Sequence, residues 1–442
     1  MRTARLPIMA SPSVPGPRGI PGYHPLDARP RGWCHAPTSS LSANPRLLVA
    51  LSALQFVLFP LPVITLFWKD QIGMSLTDIM VLQAVFGLAV VLLEFPSGYF
   101  ADRVGYRPSL LVGAGLGVAG WILYAYGATF GAIVAAEVVL GAGKAFISGA
   151  DRALLWVSLD ATSRGRQYTR WEGRLRAASE ASEALSAVAG GWLYAVAPRL
   201  PFWLQVPTAA LGLASVIALR EAPRPPMAAG HPSHLRRAWH VVRFALWRHR
   251  RLQAAMGLSV TLGLSSFVLV WLIQPYMQAR GIPAVWFGPI WAGANLWLAA
   301  VSLASPRVVA ALGRRATLLG CCLLVPVGYA GLAATPSAWG AAFYLGFMTL
   351  RGLQGPLLTS VMQEDAPGED RASVLSLAAL LFRLAFVVVG PPIGALVDRA
   401  GLDAALAGLA VVFTAAGLGT LAMFAAAHPA DADARDRERR SP

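Results

Sequence analysis

The sequence has few charged residues and few of the side chains that most enzyme sites need. Charged residues make up 13% of the 442 residues, against roughly 25% in ordinary soluble domains. Three cysteines at unrelated spacings predict neither a disulfide framework nor a zinc site. All seven histidines lie outside the long apolar runs, which argues against a histidine-based hydrolase, acyltransferase or metal site within a membrane. We therefore expect no cofactor, no metal and no enzymatic activity.

Nucleotide-binding signals and acidic residues are also scarce. The phosphate-binding pattern G-x-x-x-x-G-K-[ST] does not occur, so ATP is not expected to drive the protein directly. The chain has 22 acidic residues against 37 lysines and arginines, a net charge of +15. In a soluble protein that excess would suggest nucleic acid. Here the arginines fall in loops between apolar runs, as in cytoplasmic loops of membrane proteins. The expected partner is an anionic inner leaflet, and no nucleic acid.

Long apolar runs dominate what is present. Hydrophobic residues make up 56% of the chain and come in runs of roughly 18–25 residues, the length that spans a bilayer. Because lipid cannot satisfy free backbone groups, such runs predict helices. We predict an all-α polytopic membrane protein with twelve transmembrane helices. The predicted spans are 46–68, 76–101, 108–128, 131–157, 175–197, 201–219, 251–278, 284–305, 316–335, 338–361, 372–397 and 403–426.

One long basic segment divides the twelve spans into two pseudo-symmetric six-helix bundles. The predicted units are a disordered Pro- and Arg-rich tail (1–45), a first bundle (46–219), a basic linker (220–250), a second bundle (251–426) and a charged tail (427–442). In the linker, Leu235, Trp239, Val242 and Leu246 recur at helical spacing. That pattern fits an amphipathic helix lying on the anionic inner leaflet. A plain basic linker is the open alternative.

The loop charges predict the orientation. If residues 102–107 lie inside, the arginine-rich loops all fall on the cytoplasmic side together with both termini. The outside loops then hold only Lys69, Arg199, Arg280 and Arg399. We expect a multi-pass protein of the bacterial inner (plasma) membrane, acting as a monomer.

The second predicted span ends in the sequence Gly-Tyr-Phe-Ala-Asp-Arg-Val-Gly-Tyr-Arg. Gly98 would let another helix approach closely, and Asp102 and Arg103 would leave the hydrocarbon. Gly105 would supply a turn that a residue with a Cβ resists, and Arg107 would meet the phosphate surface. A faded copy after the eighth span keeps the glycine and the positive charges. Its residues are Gly313, Arg314 and Arg315.

This signature loop (98–107) resembles the loop between helices 2 and 3 of the major facilitator superfamily of secondary transporters. Weaker matching motifs follow in order, and the resemblance covers roughly residues 46–426. It implies two halves that rock around a midplane site, braced by this loop on the cytoplasmic side. The implied function is alternating-access transport of a small organic molecule, with proton-coupled export by antiport as the leading expectation. An uptake symporter and a non-transporting sensor or scaffold of the same fold are the alternatives.

Charged side chains within spans are costly, roughly 2.5–3.5 kcal/mol at a helix centre, and therefore informative. A rise of about 1.5 Å per residue puts Glu94, Lys144 and Glu183 about 10–12 Å from the inner edge. We expect these three to meet in one layer, with an ion pair between Glu94 and Lys144. Glu137 lies too far from Lys144 for a direct pair, so it needs another partner or a proton. It is our protonation candidate, because a low dielectric disfavours a charged carboxylate.

Two arginines lie deeper than these groups. Arg351 and Arg383 are each about 18 Å from the inner edge, near the midplane where such transporters bind substrate. Packing against backbone carbonyls or snorkelling are alternative roles for both. The polar side chains predicted to complete a substrate cavity are Gln83, Gln274 and Asn295.

Overall fold

The computed structural model describes residues 41–222, 239, 242–368 and 370–427, and this part of the chain is helical and contains no β-strand. Ten of its helices are long and apolar enough to cross a membrane. Two more helices, α5 (Tyr168–Val196) and α10 (Tyr344–Asp365), have spanning length but are more polar. Together they make the twelve transmembrane helices that the sequence predicts. The helices are α1 (Asn44–Ile72), α2 (Leu76–Arg103), α3 (Tyr106–Tyr126), α4 (Phe130–Ala161), α5 (Tyr168–Val196), α6 (Leu200–Ala218), α7 (Arg250–Ala279), α8 (Phe287–Leu312), α9 (Arg314–Ala334), α10 (Tyr344–Asp365), α11 (Arg371–Ala400) and α12 (Leu402–Ala427).

Two of these helices are interrupted, where the sequence predicts continuous spans. The first segment of α1 ends at Phe56 and helical structure resumes at Leu61, because Pro60 and Pro62 lack the N–H that a helix interior needs. Helix α4 stops at Ile147 and resumes at Ala150. The break falls at Gly149, whose φ of 83° is readily available only to glycine.

The two six-helix halves repeat one packing pattern. In the first half α1 packs on α5 and α6, α2 on α4, and α3 on α4 and α6. In the second half α7 packs on α11 and α12, α8 on α10, and α9 on α10 and α12. The halves meet through α2 against α11 and α5 against α8. Adding six to each helix number maps one set of contacts onto the other, so the predicted pseudo-symmetry is confirmed.

One pair of helices breaks this symmetry. Helix α7 packs extensively on α10, whereas the corresponding helices α1 and α4 meet mainly through the second segment of α4 (Ala150–Ala161), where Asn44 Nδ2 donates to Ser158 Oγ at 2.8 Å. Both α1 and α4 pack instead on helices at their sides, α6 and α3, which also contact each other. A gap therefore opens between α1 and α4 inside the first half.

The halves make close backbone contacts near one face. We call the face with the loops at residues 104–105, 162–167 and 313 the arginine-rich face, and the other the opposite face. Near the opposite face, the backbones of Gly191 and Gly288 come into direct contact, and Gly394 packs on Leu76 and Thr77. At the arginine-rich end of α2, a Cβ on Gly98 would meet no atom within 4 Å.

The predicted tails lie almost wholly outside the described residues, as does most of the linker. In the described part of the linker, the helical turn Phe244–Arg248 buries Ala245. The indoles of Trp239 and Trp247 lie 6.0 Å apart and are 61% and 63% exposed. The amphipathic helix stays a prediction.

Candidate functional site

The gap between α1 and α4 forms a cavity of about 310 Å³ with α3 and α6 as its floor. We call it the bay. Gly117 borders its empty space, since a Cβ there would meet no atom within 4 Å. Apolar lining side chains include Leu54, Leu61, Phe86, Trp121, Leu140 and Ile147. The polar lining side chains are Gln55, Tyr124, Glu137, Lys144 and Gln205.

Glu137 lines the bay and is held by two neutral donors. It is the one acidic or basic side chain in the described part of the chain that is buried, at 5% exposure. The Tyr124 hydroxyl donates to Oε1 in a very short hydrogen bond, and Gln83 Nε2 donates to the same oxygen at 3.4 Å. Among the described residues, Oε2 accepts no hydrogen bond. The carboxyl group therefore has donors but no neutralising cation, and one oxygen remains available for a proton.

Lys144 lies seven residues further along α4. The predicted ion pair between Lys144 and Glu94 does not form. Its Nζ lies 5.3 Å from the centre of the Phe56 ring, a cation–π contact. Asp151 is within electrostatic range, but its carboxylate is engaged by Arg152 at 2.9 Å. The predicted ion pair is wrong because α2 presents Glu94 to the other half of the protein rather than to α4.

Glu94 instead forms an ion pair across the two halves. Arg383 Nη1 on α11 lies 3.0 Å from Glu94 Oε2, with side-chain exposures of 34% and 47%. The pair follows from the antiparallel packing of α2 on α11. It places both side chains in the cleft between the halves, so Glu94 contacts Arg383 and not Lys144 or Glu183, the residues that it was predicted to meet.

Glu183 and Arg351 belong to a second cross-half group. Trp291 Nε1 on α8 donates to Glu183 Oε1 on α5 at 3.4 Å, and Arg351 on α10 lies within electrostatic range of Glu183. Arg351 is half-buried and has neither a hydrogen bond nor an ion pair among the described residues. A ligand-binding role for Arg351 stays a prediction.

The three predicted amides have different surroundings. Gln83 is buried beside Glu137. Gln274 is not among the residues that line the bay: its side chain accepts from Thr65 N at 2.9 Å and donates to Leu61 O at 3.0 Å, which fastens α7 to α1. Asn295 donates to Trp291 O, one turn back in its own helix, at 3.0 Å. Gln274 is thus a structural clamp, because the break in α1 exposes backbone groups that need partners.

The signature loop contacts its own half in this structure. Gly105 has the positive φ, 150°, that the sequence predicts. Arg107 Nη2 donates to Ile217 O at 2.9 Å, and Arg103 lies 5.2 Å from the Tyr99 ring. Gly98, predicted to admit a close helix, has no such neighbour here: a Cβ on it would meet no atom within 4 Å. Asp102 is exposed at the end of α2.

The second-half copy behaves similarly. Gly313 also has a positive φ, 81°. Arg314 makes a bidentate pair with Glu364 at 2.8 Å, and Arg315 donates to Ala425 O at 3.1 Å. All of these partners lie in the second half. Both loops therefore fasten helix ends within their own bundle.

Two carboxylates that the sequence did not single out fasten helix starts. Asp398 on α11 accepts from Leu76 N, Thr77 N and Thr77 Oγ1 at 2.9, 2.8 and 2.6 Å, so one half caps a helix of the other. Glu221 caps α3 by accepting from Tyr106 N at 3.1 Å and Arg107 N at 2.7 Å. More than 300 residues separate Asp398 from its partners along the chain, and no local pattern signals such a pairing.

The protein has two pseudo-symmetric six-helix halves with charged groups in a cleft between them. This architecture defines a secondary-transporter fold. The sequence model of the Major Facilitator Superfamily matches residues 47–389. The chain belongs to the Major Facilitator Superfamily, and is a multi-pass membrane transporter rather than an enzyme. No curated protein matches it significantly.

Solved transporter structures share the fold at low sequence identity. The nucleoside transporter NupG superimposes with a TM-score of 0.72 at 13% identity, over 86% of this chain and 99% of that one. A POT family transporter in complex with 5-aminolevulinic acid gives 0.68 at 13%, over 88% and 96%. A bacterial homolog of the human lysosomal transporter Spinster, inward-facing and unoccupied, gives 0.64 at 14%, over 89% and 96%. At such identities the likeness shows the fold alone.

Proposed function

We propose that this protein exports a small organic molecule in exchange for protons, and that Glu137 carries the proton. One observation supports this most strongly: Glu137 is the sole buried charged residue in the described part of the chain, and it lines a cavity. A carboxylate without a cation is costly in a low dielectric, which favours its protonation. Tyr124 and Gln83 orient the group while leaving Oε2 for the proton.

Alternating access supplies the rest of the mechanism. The halves are joined near the opposite face, and the space beside Gly98 is open; we take this arrangement as one end state of a rocking motion. In the other end state, we propose, the halves close at the arginine-rich face and the signature loop with Asp102 braces them. The open space beside Gly98 supports this, because a helix of the second half could approach there without displacing a side chain.

A flux experiment tests the coupling. A cargo is first found by thermal-shift screening of small organic molecules on the purified protein, and its labelled form is then followed in proteoliposomes. The wild-type protein is expected to move the cargo uphill when a pH gradient is imposed. Glu137→Gln, which cannot release a proton, is expected to exchange cargo downhill but not to accumulate it.

The matched control is Glu180→Gln, which removes an exposed carboxylate paired with Arg176 on α5 and should leave accumulation unchanged. If Glu137→Gln still accumulates cargo in response to the pH gradient, Glu137 is not the coupling group.

A further inference from the structure

Two basic side chains of the cleft have no direct ionic contact. The acidic groups are Glu94 and Glu183, and each already has a partner from the other half. The basic groups are Arg383, Arg351 and Lys144. Arg351 and Lys144 have no ion pair or hydrogen bond among the described residues. Neither Arg351 nor Lys144 therefore has a carboxylate in direct contact there, although Glu183 lies within electrostatic range of Arg351 and Asp151 of Lys144.

Lys144 and Arg383, on opposite halves, both lie beside α2: Ser97 Oγ donates to Ala145 O, next to Lys144, at 2.9 Å, and Glu94, three residues before Ser97, pairs with Arg383 at 3.0 Å. Like charges repel, and Glu94 contacts only one of the two, Arg383. An anionic group between Lys144 and Arg383 would relieve this repulsion and provide Lys144 with the partner that it lacks. The guanidinium of Arg383 suits a carboxylate or phosphate, since its N–H groups match two oxygens at once.

The bay adds an apolar compartment next to Lys144. Its walls carry Phe56, Phe86 and Trp121, and about 310 Å³ is at the lower end of ordinary ligand pockets. Lys144 itself lines the bay, with its ammonium against Phe56. A ligand with its charged group at Lys144 could therefore place an apolar body in the bay.

We propose that the cargo is an organic anion, with its carboxylate or phosphate between Lys144 and Arg383 and an aromatic or aliphatic body in the bay. This rests on the proposed transport function and names its substrate class. The anion competes with Glu94 for Arg383. Glu94 is 47% exposed, so it can hydrate when displaced. Cargo binding thus opens a bond that joins the two halves, which links occupancy to their movement.

Three ligands with one body and different charges test this on the full-length protein in lipid nanodiscs. They are 3-phenylpropanoate, 3-phenylpropanamide and 3-phenylpropylammonium, and binding is measured by thermal shift and calorimetric titration. The carboxylate is expected to bind and the other two not to bind. Lys144→Gln and Arg383→Gln are each expected to weaken its binding roughly tenfold or more, as for a lost charge-assisted hydrogen bond. Glu94→Gln is expected to tighten it by removing the competitor.

Matched controls separate charge at this site from charge in general. The chain has one other lysine, Lys69, which contacts Gln278 near the opposite face, and Lys69→Gln should leave binding unchanged. Arg166→Gln, which removes the charge of an exposed arginine, should also leave binding unchanged. Preferential binding of the ammonium or the amide, no binding of any of the three, or equal binding to wild type and Lys144→Gln overturns the proposal.

The outcome is independent of the coupling experiment. Binding is measured without a pH gradient, so a failed anion site leaves the role of Glu137 standing. Conversely, pH-driven accumulation by Glu137→Gln would refute the coupling group while leaving the anion site intact.

Discussion

Single carboxylates in this protein differ in what surrounds them, and their surroundings set their use. Glu137 is buried beside neutral donors, Glu94 pairs with a guanidinium in the cleft, and Asp398 accepts from two backbone N–H groups. Only the third satisfies helix-terminal donors, and it does so for a helix of the other half. Asp398 therefore stabilises the closed contact at the opposite face.

Asp398→Asn is expected to weaken that contact. The neutral amide accepts more weakly, and a hydrogen bond to a charged group contributes about 1.5–3 kcal/mol. Hydrogen exchange of the Leu76 and Thr77 amides, followed by mass spectrometry, should accelerate about tenfold.

The control for this prediction is Asp78, a carboxylate that caps the same helix, α2, from within its own half. Asp78 bonds to Ser75 in a capping box, so Asp78→Asn should leave the amides of Leu76 and Thr77 protected by Asp398. Unchanged exchange in Asp398→Asn would show that this cap contributes little to closure.

At the scale of the helix, α4 is the most informative element. Its first segment carries Glu137 and Lys144, and its second segment carries Asp151 and Arg152 on the far side of the break at Ser148 and Gly149. Gly149 has open space around it, so packing does not require a glycine there. The requirement comes from its φ of 83°. The break turns the charged second segment relative to the first segment, which lines the bay.

Gly149→Ala is expected to destabilise the protein by about 1–2 kcal/mol, the cost of holding a residue with a Cβ at positive φ. Thermal unfolding in detergent should show a lowered midpoint. Gly131→Ala on the same helix, where a Cβ also meets open space and no positive φ occurs, should show no loss. Equal midpoints for both variants would mean that the break relaxes freely.

At the scale of the whole molecule, glycines set how closely the halves meet. A Cβ on Gly288 would overlap the Ala187 carbonyl and lie 3.1 Å from Val188 Cα. Neither α5 nor α8 can yield without moving its backbone, so α5 and α8 must separate. A Cβ on Gly293, later in α8, would meet nothing within 4 Å.

Gly288→Ala is therefore expected to open the opposite face at a cost of about 1–3 kcal/mol, and Gly293→Ala is not. Spin labels at Val196 and Trp286, which are 62% and 57% exposed, report the separation of α5 and α8 by pulsed electron resonance. Longer distances in Gly288→Ala alone are expected. Identical distance distributions in both variants would show that close packing at Gly288 does not set how closely α5 and α8 approach.

Much of the fold could be predicted from the sequence, but the pairing of site residues could not. Gly105 and its turn follow from local chemistry, and the structure has them. The predicted partner of Glu94 was wrong, because depth along a span gives the layer of a residue but not the direction in which it faces. The Tyr124 donor to Glu137 was missed because the two lie on different helices, joined through a loop that sets their register.

The sequence by itself determined the number of helices and their division into two halves. Lipid imposes both, because every span must be apolar, of a set length and internally hydrogen-bonded. Only the tertiary structure decided that α1 and α4 part to form a bay, that Arg383 contacts Glu94 across the cleft, and that Asp398 caps α2. These depend on the rotation of each helix about its axis, which the packing of all twelve helices fixes together.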